Sequence, residues 1–418
     1  MGLKYITSLI AIAILIAPLN AQTLKSSEVL ELALSSPVYM EKSTAKLSIA
    51  LGELEEARKW WLPSTAFGAQ TFNRNGNAMN AEGEILTGVE QHTTNLAWDL
   101  RFNADAGLGL TAVKSANHSY EATLQEVKSG RDQFVLKCME ACISIVAAKR
   151  DLDYHLSTTN ELIVFEEEYL NLFELGLRPQ SDALVAKSER LQLESQCNNI
   201  HSSIALMEAE LRYALGLSKS PNVEKVWPEI NSSLSSEYYG VLPARSALEE
   251  RREVAVQNAK GINRDIWMPE LRFSPTLSGF GGEFSSISPT TQWIAALAWT
   301  FPISNLGEGG QRRILESSVD LAYAEENNWD LLHYSRIDGL KKQINYLASS
   351  LFFATEAVTV SDLAMSQINE RQDLGLVDPV ELVQILRLRL DAHSNAISIK
   401  EALLISEFRL QLELGATW

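Results

Sequence analysis

Turn-forming residues are scarce in this chain: 12 prolines and 22 glycines among 418 residues. So little turn chemistry excludes a fold of many short elements and implies long uninterrupted ones. Basic residues are also in the minority, 36 Lys and Arg against 53 Asp and Glu, and the net charge of −17 has nothing to offer a phosphate backbone. Nucleic acid is therefore not an expected partner. The six histidines, His92, His118, His155, His201, His333 and His393, are scattered, and neither HExxH nor CxxC occurs. Neither a metal site nor a nucleophile-base set nor a nucleotide loop can be assembled from such spacings, so no metal, cofactor or enzymatic activity is expected. What is plentiful is apolar and acidic residues in ordinary globular proportion, which excludes disorder as a description of the whole.

Lys4, the apolar run Ile6 to Ala17 and the break Pro18-Leu19-Asn20-Ala21 have the anatomy of a secretory signal peptide over residues 1–21. The run is short of the ~20 apolar residues that a spanning helix needs; a buried core helix is the rival reading. Gln22 follows, so no lipidated cysteine is expected there. Export places the chain in an oxidising compartment, yet three cysteines are an odd number for a disulfide framework. Cys138 and Cys142, four apart in a helical pattern, and Cys197 read as small apolar packing residues.

The chain repeats itself. Gly176-Leu177 and Gly375-Leu376 are separated by 199 residues, and the same offset joins Phe102 to Phe301, Ile145 to Ile344, Arg190 to Arg389, and Leu215-Gly216 to Leu414-Gly415. Trp61-Leu62-Pro63 pairs with Trp267-Met268-Pro269 at a slightly larger offset. The organisation expected is a signal peptide (1–21), a first structural repeat (22–217), a linker (218–240) and a second repeat (241–418).

Each repeat reads helix, strand, loop, strand, long helix, tight turn, shorter helix. Ser26-Ser27-Glu28 is placed to cap a helix running to about Trp61. From 107 to 175 no proline occurs, and Val113, Tyr120, Val127, Phe134, Ala141, Ala148, His155, Leu162 and Tyr169 recur every seventh residue. That period marks a superhelical seam. The helix would span ~104 Å, matched by helices 26–61 and 180–215 at ~54 Å each. In the second repeat the helices expected are 243–266, 308–374 and 380–415.

Between helices the period falls to two. Leu96, Trp98, Leu100 and Phe102 share one face, with Ala97, Asp99, Arg101 and Asn103 on the other; Leu271 to Ser278 and Trp293 to Phe301 alternate likewise, and Thr65 to Thr71 more weakly. Aromatic faces opposed to polar ones in segments of about ten residues fit strands with lipid outside and water inside; a soluble sheet with one buried face is the rival. Four strands cannot close a spanning barrel, whose lower limit is ~8, so several chains would have to contribute. The segments Arg74 to Gln91 and Phe280 to Pro289 are expected as loops at the outer mouth.

Together the tip motifs Gly176-Leu177-Arg178-Pro179-Gln180-Ser181-Asp182-Ala183-Leu184 and Gly375-Leu376-Val377-Asp378-Pro379-Val380-Glu381-Leu382-Val383, the Trp-x-Pro elements, and Phe301-Pro302-Ile303 with Gly307-Glu308-Gly309-Gly310 resemble the TolC family of outer-membrane efflux factors over about residues 24 to 415. The resemblance implies a mainly α fold with β: a long antiparallel coiled-coil helical barrel in the periplasm and four transmembrane strands per protomer, forming a 12-stranded barrel as a homotrimer. It implies a passive exit duct in the cell outer membrane for efflux or type I secretion. The partners implied are a periplasmic adaptor and an inner-membrane efflux pump or ABC exporter, with outer-membrane lipid around the barrel. Glu381, Gln384, Asp378 and Asp182 are implied at the periplasmic entrance. Glu381 stands at an acidic ring position of the family, Gln384 replaces a second acidic residue, and Val377 replaces an arginine that in some members latches the closed state. Gly176, Leu177, Ser181, Gly375 and Leu376 are implied as the adaptor-docking tips. The alternative from another class is a periplasmic coiled-coil scaffold or adaptor without a pore.

Overall fold

A computed structural model describes residues 23–79, 82–228, 242–265, 268–281, 287–299, 310–373 and 377–415. The signal segment, Phe301-Pro302-Ile303 with Gly307 and Gly309, and Gly375-Leu376 lie outside these residues. The elements in chain order are β1 (Thr23–Leu24), α1 (Ser26–Leu34), α2 (Pro37–Arg58), β2 (Ser64–Met79), β3 (Ile85–Asp105), α3 (Ala106–Glu174), α4 (Gln180–Leu215), β4 (Asn222–Val223), α5 (Pro243–Asp265), β5 (Glu270–Gly281), β6 (Ser288–Ala298), α6 (Gly310–Asp373) and α7 (Pro379–Glu413).

The long helices match the periodicity closely: α3 has 69 residues and α6 has 64. The first helix departs from expectation by splitting in two. Pro37 has no N–H to donate and forces Ser36 out of the helical region, so the chain breaks and restarts there. Ser36 is buried, and its hydroxyl donates to the Ala214 carbonyl at the end of α4 (2.7 Å). The α1 start is also built differently from a serine cap: Glu28 reaches back to accept from the Lys25 N–H (3.0 Å), the N3 half of a capping box.

The chain folds as two compact units. One holds residues up to 41, 131–228 and from 335 onward; the other holds 42–130 and 242–334. Each draws on both sequence repeats. The first unit is helical, and its core joins Val135, Cys138, Cys142 and Ile145 of α3 to Val29 of α1, Leu211 of α4 and Phe408 of α7. All three cysteines are free and buried; burial pushes the thiols of Cys138 and Cys142 up to about 11 and about 12, which keeps them protonated and unreactive.

The expected linker is held down as far as it is described. β1 pairs in parallel with β4, and the Lys149 ammonium donates to the Asn222 side chain (3.0 Å) and the Val223 carbonyl (3.1 Å).

The second unit carries an antiparallel sheet of order β2-β3-β5-β6. Pro275 sits in the central strand β5, where its missing N–H interrupts the ladder to β3 opposite Leu100 and Arg101. β2 and β3 are longer than expected, 16 and 21 residues. The segment 74–91, expected as a loop, is mostly a two-stranded ribbon whose arms pair as far as Met79 and Ile85. Asn and Gly there signal a loop by composition, but antiparallel pairing satisfies the backbone of both arms, and a bulge, where Thr87 and Gly88 (φ +75°) of β3 stand opposite Asn77 of β2, absorbs the extra residue.

Candidate functional site: the aromatic sheet and the paired helix tips

The sheet register sorts the side chains into two faces. Phe67 lies opposite Trp98, which lies opposite Leu277; Phe102 lies opposite Phe273, which lies opposite Ala295. Leu271 faces Leu297, and Pro275 faces Trp293. This face is largely apolar, with threonines such as Thr65 and Thr291 among the aromatic and aliphatic residues, yet uncovered, Phe67 being 78 % and Trp293 72 % exposed. The other face carries Asp99, Arg101, Glu270 and Arg272. Asp99 accepts from Ser274 (3.0 Å) and Thr276 (3.1 Å) across the strands and pairs with Arg101, while Arg272 pairs with Glu270 (2.6 Å). Charges on that face are therefore matched, and the outer strands β2 and β6 have no further neighbour among the described residues.

The helix tips belong to the first unit. α3 ends in a Schellman turn: the Gly176 N–H donates to the Phe173 carbonyl (2.9 Å) and the Leu177 N–H to Leu172 (2.9 Å), with Gly176 at φ +71°. That left-handed conformation is why glycine is needed here. Pro179 then precedes α4. The second tip is capped by Asp378, whose carboxylate accepts from the Val380 N–H (3.1 Å), with Pro379 at the first helical position. Beneath both tips Leu162 and Phe165 of α3, Ala186 of α4, Met365 of α6, and Leu382 and Leu386 of α7 form one cluster. Leu175 and Leu177, by contrast, are about 70 % exposed.

The residues expected at the entrance are not free charges. The Arg371 guanidinium grips the Glu381 carboxylate at both oxygens (2.7 and 3.2 Å), and Asp182 is paired with Arg178 (3.5 Å) and accepts from Ser181 (3.2 Å). Gln384 is exposed. Asp378 serves the helix start. Arg178 also donates to the Val377 carbonyl (2.9 Å), so an arginine does cross between the tips, from the first repeat rather than from position 377. Sequence reasoning missed Arg371: it stands ten residues before Glu381, on α6 rather than α7, where no helical spacing points to it.

A matched pair of ion clusters follows the repeat up the helices. Arg190 binds Glu166 (2.7 Å) and Glu194; its counterpart Arg389 binds Asp362 (2.8 Å) and Glu161 (3.0 Å). Arg387 holds the buried Glu189.

No protein-family model matches the sequence, and no curated protein does. Solved structures do. The CmeC outer membrane channel of Campylobacter jejuni superposes with a TM-score of 0.77 at 13 % identity, over 93 % of this chain and 85 % of that one. The outer membrane protein VceC of Vibrio cholerae gives 0.73 at 16 % identity over 93 % and 96 %. The open-state MtrE outer membrane channel of Neisseria gonorrhoeae gives 0.74 at 14 % over 93 % and 88 %.

This chain has the TolC-like channel fold. The combination expected from the tip motifs, long antiparallel helices joined to four strands, is the one observed. Identity this low with so extensive a superposition means that the fold rests on periodicity, turn glycines and buried volume rather than on particular side chains.

Proposed function

We propose that three copies of this chain form an outer-membrane conduit: twelve strands, four from each, close a barrel, and the helices line a periplasmic tunnel. The observation that carries this reading is the sheet, which has an uncovered aromatic face, a charge-matched polar face and two unpaired edges. Open edges are not tolerated in hydrocarbon, and closure removes them. β5 and β6, at 12 and 11 residues, are the length a tilted strand needs to cross a bilayer. Helix α6 supports the same assembly. It is the one described helix long and apolar enough to span a membrane, but its Leu331, Tyr334, Tyr346, Phe353 and Val360 are exposed in a single chain; packed against neighbouring copies they become a seam.

In this reading Glu381, Gln384, Asp378 and Asp182 surround the periplasmic entrance. Exposed Leu177, with Gly176, Ser181, Gly375 and Leu376, forms the surface on which a periplasmic adaptor docks, bringing an inner-membrane efflux pump or ABC exporter. Transport is passive, and the exported molecule is selected upstream.

The test is purification from outer membranes in mild detergent and reconstitution into planar bilayers. A heat-dissociable trimer with ion conductance is expected. A monomer, or bilayers that stay silent despite insertion, overturns the conduit.

A further inference from the structure

Where the sheet of the second unit meets its helices, basic residues gather in a way that the chain's net charge of −17 does not foreshadow. α2 closes on Arg58, and Lys59, Trp60, Trp61 and Leu62 follow before β2 begins at Ser64. Trp60 packs on Gly109 in the first turn of α3, which pins this segment at the point where strand becomes helix. Arg58, Lys59, Trp61 and Leu62 are exposed, and so are Arg312, Arg313 and Ile314 at the start of α6. The level of that second group is fixed by the neighbouring helix. Arg252 of α5 pairs with Glu326 of α6 (2.7 Å) and Arg245 with Asp330 (3.0 Å). Continuing that antiparallel register to Asp265, the end of α5, reaches the first turn of α6, and β5 begins just beyond at Glu270. Both basic groups therefore stand at the helical end of the sheet.

Their charges are only partly answered. Arg312 pairs with Glu316 (2.8 Å) on its own helix, and Lys59 lies 3.7 Å from Glu56. Arg58 and Arg313 have no ion-pair partner among the described residues. The nearest acidic residues of α2, Glu55 and Glu56, stand about a turn further from the sheet. Strand order brings the two groups together across copies. β2 and β6 are the edges of the sheet, β2 leading away from the helices and β6 returning to them. When copies close a barrel, β6 of one pairs antiparallel with β2 of the next at a strand spacing of ~4.8 Å. Arg312 and Arg313 of the first copy then come beside Arg58 and Lys59 of the second, and these cations outnumber the carboxylates of Glu56 and Glu316. In the conduit reading, which sets hydrocarbon against the aromatic face, each such seam lies level with lipid headgroups.

We infer that each seam between copies binds the headgroup of an anionic phospholipid of the phosphatidylglycerol class, drawn from the membrane leaflet nearer the helices. The guanidinium groups of Arg58 and Arg313 donate to the phosphodiester oxygens, Lys59 adds a point charge, and Trp61, Leu62 and Ile314 lie against the glycerol and the first acyl carbons. Charge complementarity selects an anionic headgroup over a zwitterionic one. The exposed apolar neighbours, continuous with the aromatic face of the sheet, select a lipid over free phosphate. Because the two halves of the site come from different copies, a bound lipid also joins those copies. The inference rests on the conduit reading and names the lipid at its rim.

The test is native mass spectrometry of the detergent-purified full chain after incubation with dioleoyl phosphatidylglycerol or dioleoyl phosphatidylethanolamine, which reads oligomeric state and bound lipid in one spectrum. Trimers that retain phosphatidylglycerol, one for each seam, and little phosphatidylethanolamine are expected. Arg58→Gln with Lys59→Gln, and Arg312→Gln with Arg313→Gln, are each expected to weaken retention at least about fivefold, the order of one basic residue at a membrane surface. Lys341→Gln with Lys342→Gln, further along α6, should leave it unchanged. Glycerol 3-phosphate in excess is expected not to displace the lipid; displacement assigns the site to free phosphate and overturns the lipid reading. Equal retention of the two lipids by a trimer, or retention that survives all four substitutions, overturns the proposal and leaves the conduit standing. A monomer overturns the conduit and the seam with it. The four cations are on the surface, so the substituted chains are expected to fold, and the headgroup comparison on the unsubstituted chain decides whatever they do.

Discussion

The guanidinium of Arg178 donates to the backbone carbonyl of Val377, the residue 199 positions later that is its own counterpart in the second repeat (2.9 Å). The two tips of a protomer are thus tied by a charge-assisted bond that does not depend on the side chain at 377. Arg178→Ala is expected to cost about 1 kcal/mol of stability and to raise single-channel conductance by loosening the tips. Arg178→Lys restores only part of the effect, since a point charge cannot hold Val377 and Asp182 together as the planar fork does. Unchanged conductance in Arg178→Ala would show that this bond does not restrain the opening.

Because Arg371 clasps Glu381, the net charge that Glu381 presents at the tip is already compensated within the chain. Glu381→Gln should therefore uncover Arg371 and shift reversal potentials toward anions, and Arg371→Gln should uncover Glu381 and shift them toward cations, each by roughly twofold in permeability ratio. The double variant should return close to wild type. Shifts of the same sign in both single variants would place the selecting charges elsewhere.

Gly109 in α3 is buried against the Trp60 indole, where an added Cβ would overlap the ring carbons. Gly109→Ala is expected to lower stability by roughly 1–3 kcal/mol through overpacking. Gly52→Ala, with open space around the same added atom, should raise it slightly by restricting the unfolded chain. Thermal unfolding followed by circular dichroism in detergent separates the two; equal effects would remove the packing explanation.

Glu407 on α7 is half-buried, and burial raises its carboxyl above the ordinary range, with Lys400 pulling the other way. A carboxyl raised in the folded state is a penalty when ionised, so the native state binds its proton more readily than the unfolded one. Glu407→Gln should be more stable than wild type at neutral pH. The difference should shrink as pH falls through the folded pKa toward the unfolded value. A difference that grows on acidification would contradict the sign.

Much of this architecture was legible in local pattern. The heptad from Val113 to Tyr169 located α3 to within a residue at each end, and the alternation from Leu96 to Asn103 sorted Trp98 from Asp99 correctly, because both signals belong to contiguous residues sharing one face. Ser35-Ser36-Pro37 was a readable break that a long apolar helix pattern obscured. The ribbon through Asn73 to Asn77 was less legible, since its backbone is satisfied by a partner strand rather than by its own composition.

Sequence alone determined the repeat, the helices, the glycine at the Gly176 turn and the two faces of the sheet, since these follow from steric and hydrophobic rules acting over a few residues. Tertiary structure decided that Glu381 is held by Arg371 and that Arg178 reaches Val377. The reason is reach: long flexible side chains pair with whatever the packed helices bring within about 3 Å, and that neighbourhood is set only once the core beneath the tips has closed.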